Sequence, residues 1–331
     1  MADLVLAVDT LIERVAATFV AANTSEAAAI SVARALVQAE VDGQKGHGLS
    51  RIESYTGQAR SGKVDGHAEP VIAAPRPGAL MVDVAHGFAY PAIDAAIPRL
   101  ADAVAATGIA AAGFNRSHHC GAVGWHCERM AARGLIALFF ANTPKAVAPW
   151  GGTRPLFGTN PIAFAAPRPK GPPILVDLAL SKVARGKILT AAQAGEPIPD
   201  TWAVDANGQP TTDAKAALSG TLMPIGDAKG AALALMVELL AAGLTGAQFA
   251  TETASFFDAD GPPPGVGHLM IAIDPDAFGG RGVVGDRIEA MAALFDDNGS
   301  ARLPGATRAT RRAAAQADGV TVPAHIARLL A

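Results

Sequence analysis

The stretch "GHGLSRIESY", Gly46 to Tyr55, places His47, Arg51 and Tyr55 four residues apart. Four residues is about one helical turn, so an imidazole, a guanidinium and a phenol are expected on one helix face. An imidazole serves as acid or base near neutral pH, and a guanidinium one turn away can grip a carboxylate. Gly46 and Gly48 flank His47 and leave the backbone bare for close approach. A solvated helix face would account for Arg51 and Tyr55 alone. It accounts less well for a histidine between two glycines.

Three further stretches carry polar chemistry. "SHHCGAVGWHCERMAARG" holds His118, His119, Cys120, His126 and Cys127. It has no Cys-x-x-Cys or His-x-x-x-His spacing, and His126 and Cys127 are helix neighbours that point apart, so no metal site is expected. Gly121 and Gly124 instead open a helix after a strand, where bare amides suit an anion such as a phosphate. The second stretch, Asn142 to Arg168, is built from proline and glycine in an apolar setting, the composition of a ligand-holding loop. The third, "VDLALSKVARGK", starts with Asp177 on a strand and ends with Lys182, Arg185 and Lys187. These bases read either as a solvated helix face or as partners of a phosphate. "GRGVVG", Gly280 to Gly285, matches the dinucleotide fingerprint by letter. It does not directly follow its strand, and no second strand with a ribose-binding acid comes after, so it reads as a flexible loop.

The elements that must position these groups follow from periodicity. Helices are expected at Glu26 to Val41 and Pro91 to Thr107, the latter kinked or divided at Pro98. "GIAAAGF", Gly121 to Arg133 and "LIALFFAN" form a strand–helix–strand unit, which favours an α/β fold. "PILVDLAL" and "HLMIAIDP" are further buried strands, and "GAALALMVELLAAGLTGA" reads as a buried core helix and not a membrane span. The expected division is an N-terminal part to residue 118, a middle part to 290 and a C-terminal return over 291–331. The 331 residues carry 27 Lys plus Arg against 30 Asp plus Glu, a formal charge of −3, which argues against nucleic acid or anionic membrane as partner. The N-terminal stretch reads as an amphipathic helix rather than a signal peptide. With two cysteines and no disulfide framework, a reducing cytoplasm is the expected location.

Together "HGLSR" with Tyr55, "SHHCG", "APWGG", "PLFGTNPIAFAAPR", "VDLALSKVARGK" and "KGAALALMVELLAAGLTGAQF" resemble the type-2 malate/L-lactate dehydrogenase family over nearly the whole chain. The later motifs look nearest to its (R)-sulfolactate dehydrogenase and Δ1-piperideine-2-carboxylate reductase branches. The resemblance implies an NAD(P)-dependent oxidoreductase acting on a small 2-oxo or 2-hydroxy acid, or on a cyclic 2-imino acid. It implies a homodimer with a non-Rossmann, mixed-sheet cofactor domain spanning 119–290 and a helical substrate and dimerisation domain. NADP is the expected cofactor, with NAD the alternative. By family correspondence His47 is the proton donor oriented by Asp177, with His119 second, and Arg51 holds the substrate carboxylate or delivers the proton. Tyr55 and Thr159 belong with the substrate. His119, Cys120, Gly121, Ala122, Val123, Asn142, Leu178, Ala179, Arg185, Lys187 and Lys229 belong with the cofactor. Two positions depart from the family pattern: Gly46 stands where many members have a relay serine, and Asp227-Ala228 precede Lys229 where many have Gly-His. The first leaves Asp177 alone to orient His47 and keep its ring charged. A non-catalytic, ligand-binding descendant of the fold and a zinc hydrolase built on the His/Cys cluster are the rival readings.

Overall fold

The structure, a computed structural model, describes residues 3–330. Its strands are β1 (Leu4–Leu6), β2 (Val71–Arg76), β3 (Ala79–Asp83), β4 (Ile109–Ser117), β5 (Ile136–Ala141), β6 (Ile162–Ala166), β7 (Ile174–Leu178), β8 (Ala203–Val204), β9 (Thr221–Leu222), β10 (Val266–Ile273) and β11 (Val320–Val322). Its helices are α1 (Val8–Val20), α2 (Glu26–Val41), α3 (Ile52–Ser61), α4 (Ala89–Thr107), α5 (Val123–Ala131), α6 (Arg185–Ala194), α7 (Ala214–Ser219), α8 (Ala228–Glu238), α9 (Arg281–Asp296), α10 (Ala306–Asp318) and α11 (Ala324–Ala327).

A seven-stranded mixed sheet in the order β2-β3-β4-β10-β5-β6-β7 forms the centre. Only β3 and β4 pair in parallel; β10 runs antiparallel to both of its neighbours. The expected strand–helix–strand unit is β4–α5–β5, but β10 returns between its two strands. The near-continuous apolar run of β10 suits that place, because a central strand is covered on both faces. Neighbouring residues accordingly enter different cores. Met270 and Phe139 pack with Ile93, Ile97 and Val104 of α4, while Leu269 and Phe140 pack with Val237 of α8 and Ile188 of α6. A third core joins α1, α2 and α3 to the β1–β11 pair, so the C-terminal segment closes onto the N-terminal helices.

The structure departs from the periodicity at three places. Pro98 does not divide α4, which runs unbroken from Ala89 to Thr107 with Pro98 itself on the exposed side. "GRGVVG" is not a flexible loop. It forms the first turn of α9, where Arg281 N donates to Asp276 Oδ1 at 2.6 Å and the Arg281 guanidinium reaches Asp274 and Asp276. The apolar stretch from Gly230 is α8 continued by a π-turn at Leu239–Gly243, and only one side of it is core. Ala231, Ala234, Val237, Ala241 and Ala242 are buried, whereas Leu233, Leu235, Met236, Leu239 and Leu244 are exposed. No helix among the described residues is long and apolar enough to cross a membrane.

Glu238 ties α8 to the sheet. Buried at 3% exposure, its carboxylate accepts from Asn142 Nδ2 (3.1 Å), Ala250 N (2.6 Å) and Asn160 Nδ2 (2.7 Å). Those donors end β5, open β6 and precede β10. Glu238→Gln would turn an amide N–H toward donors and leave one unsatisfied. It is expected to lower the free energy of unfolding by about 1–3 kcal/mol in urea titration, and an unchanged value would show the anchor to be dispensable.

Candidate active site

Helix α2 ends beside the site, and the chain from Gln44 to Arg51 passes through two 3-10 turns, Lys45–His47 and Leu49–Arg51, before α3 begins. His47, Arg51 and Tyr55 therefore do not share one helix face. Their convergence comes from the turns. Gly48 is required there, since a Cβ would lie 2.4 Å from Glu40 Oε2, the atom that accepts from Leu49 N. Arg51 Nε donates to Gly46 O at 2.7 Å, and its guanidinium lies 4.6 Å from the centre of the Phe257 ring. Arg51 Nη1 is buried without a hydrogen-bond partner.

The His47 ring stacks on His119 with centroids 5.2 Å apart and planes 23° apart. His119 Nδ1 is in hydrogen-bond contact with Tyr55 Oη, and the Tyr90 hydroxyl lies 3.5 Å further on. Tyr55 has no exposed surface and lies behind His119, with its hydroxyl on that ring. A cleft of about 580 Å³, counting the space at its mouth, opens against the two imidazoles. Of the other expected residues, Asp177, Thr159, Cys120, Gly121, Val123, Asn142, Leu178 and Ala179 line it. Ala122 is the N-cap residue of α5, whose first turn carries no side-chain cap. Arg185, Lys187 and Lys229 lie outside the lining and are exposed. Arg185 donates to Leu218 O at 2.8 Å and Lys182 pairs with Asp227 at 2.8 Å, while the Lys187 and Lys229 side chains have no hydrogen-bond or ion-pair partner among the described residues.

The direct His47–Asp177 relay is absent. Asp177 Oδ2 accepts from Gln44 Nε2 (2.9 Å) and Arg308 Nη2 (2.8 Å), while His47 Nδ1 is buried without a partner. Gly124 lets Asp177 lie against the first turn of α5, since a Cβ there would approach the carboxylate to 2.8 Å. Negative charge is favoured at that positive helix end. A Cβ on Gly46 would meet nothing within 4 Å, so a serine has room there, but it is Gln44 that reaches Asp177. Arg308 comes from α10, whose Arg312 also grips both Asp42 and Glu128. Gln44, Arg308 and His268, which also lines the cleft, were missed in the sequence. Gln44 lay in plain sight three residues before His47; Arg308 had no local signal, since only folding brings α10 to Asp177.

Burial holds His47 down to about 4, helped by the charge of Arg51, and Asp177 offsets this only in part. The expectation of a charged ring near neutral pH is thus corrected: desolvation outweighs the carboxylate. His119 is pushed well below its usual value by burial and then by Arg51. Burial raises Tyr55 to about 12, so its phenol stays protonated. The three other buried rings are also held low by burial: His118 to about 3, His126 to about 4 and His268 to about 3. Their Nε2 atoms meet Gln58 Oε1, Cys120 O and His118 O respectively, as neutral rings with Nε2–H would. Among the described residues no group of three or more His, Cys, Asp and Glu side chains is placed to hold a metal ion.

A mixed α/β sheet thus carries a cleft lined by neutral imidazoles at the start of α5, with the Arg51 guanidinium outside the lining and its Nη1 unpartnered. A model of the malate/L-lactate dehydrogenase family matches residues 6–331, and the chain belongs to that family. It is an oxidoreductase. The chain is 50% identical over 278 residues to a (2R)-3-sulfolactate dehydrogenase (NADP(+)) of Chromohalobacter salexigens, covering 83% of this chain and 82% of the relative. It is 41% identical over 312 residues to a Δ1-pyrroline-2-carboxylate reductase of Ancylobacter novellus, with 93% and 91% covered. The crystal structure of Δ1-piperideine-2-carboxylate reductase from Pseudomonas syringae pv. tomato superposes with a TM-score of 0.93, at 39% identity over 98% of both chains.

A ring with a folded pKa below its unfolded value contributes stability above pH about 6.5 that is lost as pH falls toward about 4. His118, His126 and His268 should each cost about 1 kcal/mol at about pH 5.5 relative to pH 7.5, and His119 should act in the same direction. Unfolding free energies in urea at the two pH values check this; a flat profile would mean that the rings are not held neutral.

Proposed function

We propose that the protein transfers hydride between a nicotinamide dinucleotide and C2 of a small 2-oxo or 2-hydroxy acid of the malate, lactate or sulfolactate type. Arg51 carries this reading, because its Nη1 is buried, unpartnered and beside the His47–His119 stack, where a 2-carboxylate would complete its fork. Reduction of cyclic 2-imino acids is the second reading, favoured by the reductases the chain resembles.

The site fits the cofactor. His119, Cys120, Gly121 and Val123 border the cleft at the start of α5, where Asp177 already lies against the first turn, so this stretch would face the nicotinamide end of the cofactor. Leu178, Ala179 and Asn142 supply the facing wall. Lys187 and Lys229 are the free bases for a 2′-phosphate, so NADPH is preferred to NADH, and Arg185, already on Leu218 O, contributes charge alone. When bound, the nicotinamide supplies or accepts the hydride.

The residues of the chain handle the proton and the carboxylate. A carboxylate on Arg51 cancels part of the charge that depresses His47, so the imidazole gains proton affinity only in the loaded site. His47 then delivers a proton from Nε2 to the developing oxyanion or amine. His119, with Tyr55 donating to its Nδ1, keeps its own proton on Nε2 and is the second candidate. Thr159 fixes the substrate from the cleft wall, and its hydroxyl lies 3.3 Å from that of Thr143. Asp177, held by Gln44 and Arg308, acts on His47 through its charge.

On this reading residues 1–118 supply the substrate side, 119–290 the cofactor side, and 291–331 close back through α10. The exposed Leu233 and Met236 of α8, with Leu239 of the π-turn that continues it and Leu244 at that turn's C-cap, form an apolar surface that a second copy would cover, giving a homodimer. Light scattering that gives a monomer at micromolar protein would remove that claim. Cys120 and Cys127 are both free and buried, which fits the cytoplasm.

The test follows nicotinamide absorbance with NADPH and a panel of 2-oxo and cyclic 2-imino acids. One class is expected to turn over, and Arg51→Lys is expected to lower kcat/KM by more than about tenfold with unchanged affinity for NADPH. No turnover across the panel, or an unaffected Arg51→Lys, would contradict the reading.

A further inference from the structure

The Ser255–Asp260 loop lies beside the site and has no helix or strand of its own. Its carbonyls are nevertheless held one after another by the end of α3. Lys63 Nζ donates to Ser255 O (2.8 Å), Asp258 O (2.8 Å) and Asp260 O (3.1 Å). Gln58 Nε2 donates to Phe256 O (2.9 Å) and Asp258 O (3.0 Å), and Ser61 Oγ to Ala259 O (2.7 Å). An ammonium has three N–H groups, and all three are used here. Lys63 is only 3% exposed, so this is a buried cation satisfied by main-chain oxygen. Such a burial is costly, and what the cation holds is the main chain of this loop.

Two phenylalanines show what this hold serves. Phe256 packs inward, 5.0 Å from the His119 ring and 5.6 Å from His118. Phe257 stays 62% exposed, so the core does not hold it, yet its face meets the Arg51 guanidinium. The loop thus carries one ring behind the imidazole and one against the fork. With Nε on Gly46 O and its guanidinium carbon over the Phe257 ring, Arg51 already has two contacts before any carboxylate arrives.

We propose that Lys63 is a positioning residue for substrate binding: by clamping the Ser255–Asp260 loop it holds Phe257 against Arg51 and so fixes the plane in which the guanidinium receives a carboxylate. The inference rests on Arg51 as the carboxylate site of the proposed function. Without the clamp Phe257 swings into solvent, Arg51 samples several planes, and carboxylate affinity falls. Cofactor affinity is expected to change less than carboxylate affinity, because the clamped loop reaches the cofactor stretch only through Phe256 against His119.

The test measures binding of pyrrole-2-carboxylate, a planar carboxylate that accepts no hydride, to the NADPH-saturated protein. Lys63→Met and Phe257→Leu are each expected to weaken it by roughly threefold to tenfold, the range of a partly exposed cation–π contact. The Kd for NADPH is expected to change less than the carboxylate Kd in Lys63→Met and to stay at the wild-type value in Phe257→Leu, and Phe257→Tyr, which keeps the ring face, retains carboxylate binding. Combining Lys63→Met with Phe257→Leu should be no worse than the weaker-binding single variant, since both act on one contact. Normal carboxylate binding by Lys63→Met, or losses that multiply in the double variant, would overturn the inference. Should Lys63→Met not fold, Phe257→Leu still decides, because normal binding by that surface variant overturns it equally. Absent carboxylate binding in the unaltered protein, or normal binding in Arg51→Lys, would instead overturn the Arg51 reading itself.

Discussion

A desolvated imidazole beside a half-buried guanidinium, whose Nη1 is shielded and unpartnered, is the constraint on which this site depends. Both lose water, and like charges at that range repel, so the ring that can give up its charge does so. His47 and His119 are neutral for this reason, and their stacking follows, because two charged rings would not lie face to face. Asp177 opposes the effect without reversing it. Its carboxylate is already engaged by Gln44 and Arg308 and sits against the start of α5. The charge balance is therefore one negative group short, and an anionic substrate supplies it.

The fold holds the participants in that balance from distant parts of the chain. β10 brings His268 to the cleft and separates β4 from β5, so the His119 turn and the Asn142 end of β5 face each other across it. Glu238 fastens the Asn142 and Asn160 corners to α8. Helix α10 works from the other side. Arg308 and Arg312 reach Asp177, Asp42 and Glu128, so the C-terminal segment joins the end of α2, α5 and the end of β7. The clefted side of the protein is thus braced by charge, whereas the helical core of α1, α2 and α3 is braced by apolar packing.

Local chemistry was legible in the sequence, and relations between distant segments were not. The bounds of α2 could be read directly, and β7 and β10 stood out, because apolar period and flanking glycine are local signals. The chemistry of His47 and His119 was visible in residue type. The stacking that joins them depends on two 3-10 turns that a simple four-residue count treats as helix. The charge state of His47 was misjudged for a similar reason. A carboxylate nearby can be guessed from family position, but the desolvation that outweighs it exists only after folding. Tyr55 shows the same limit: its spacing from Arg51 says nothing about whether its hydroxyl meets a substrate or a histidine. In "GRGVVG", three glycines outweighed the Asp274 and Asp276 carboxylates upstream that anchor the helix start.

The central claim is that His47 is neutral in the free protein and gains proton affinity when a carboxylate meets Arg51. NMR titration of the His47 ring, assigned by loss of its signal in His47→Gln, measures this directly. The free protein should titrate near about 4, and saturation with NADP and a non-reacting 2-carboxylate should raise the value by about one unit or more. A free-protein value at the ordinary position of about 6.5, or one that carboxylate binding leaves in place, would contradict the account.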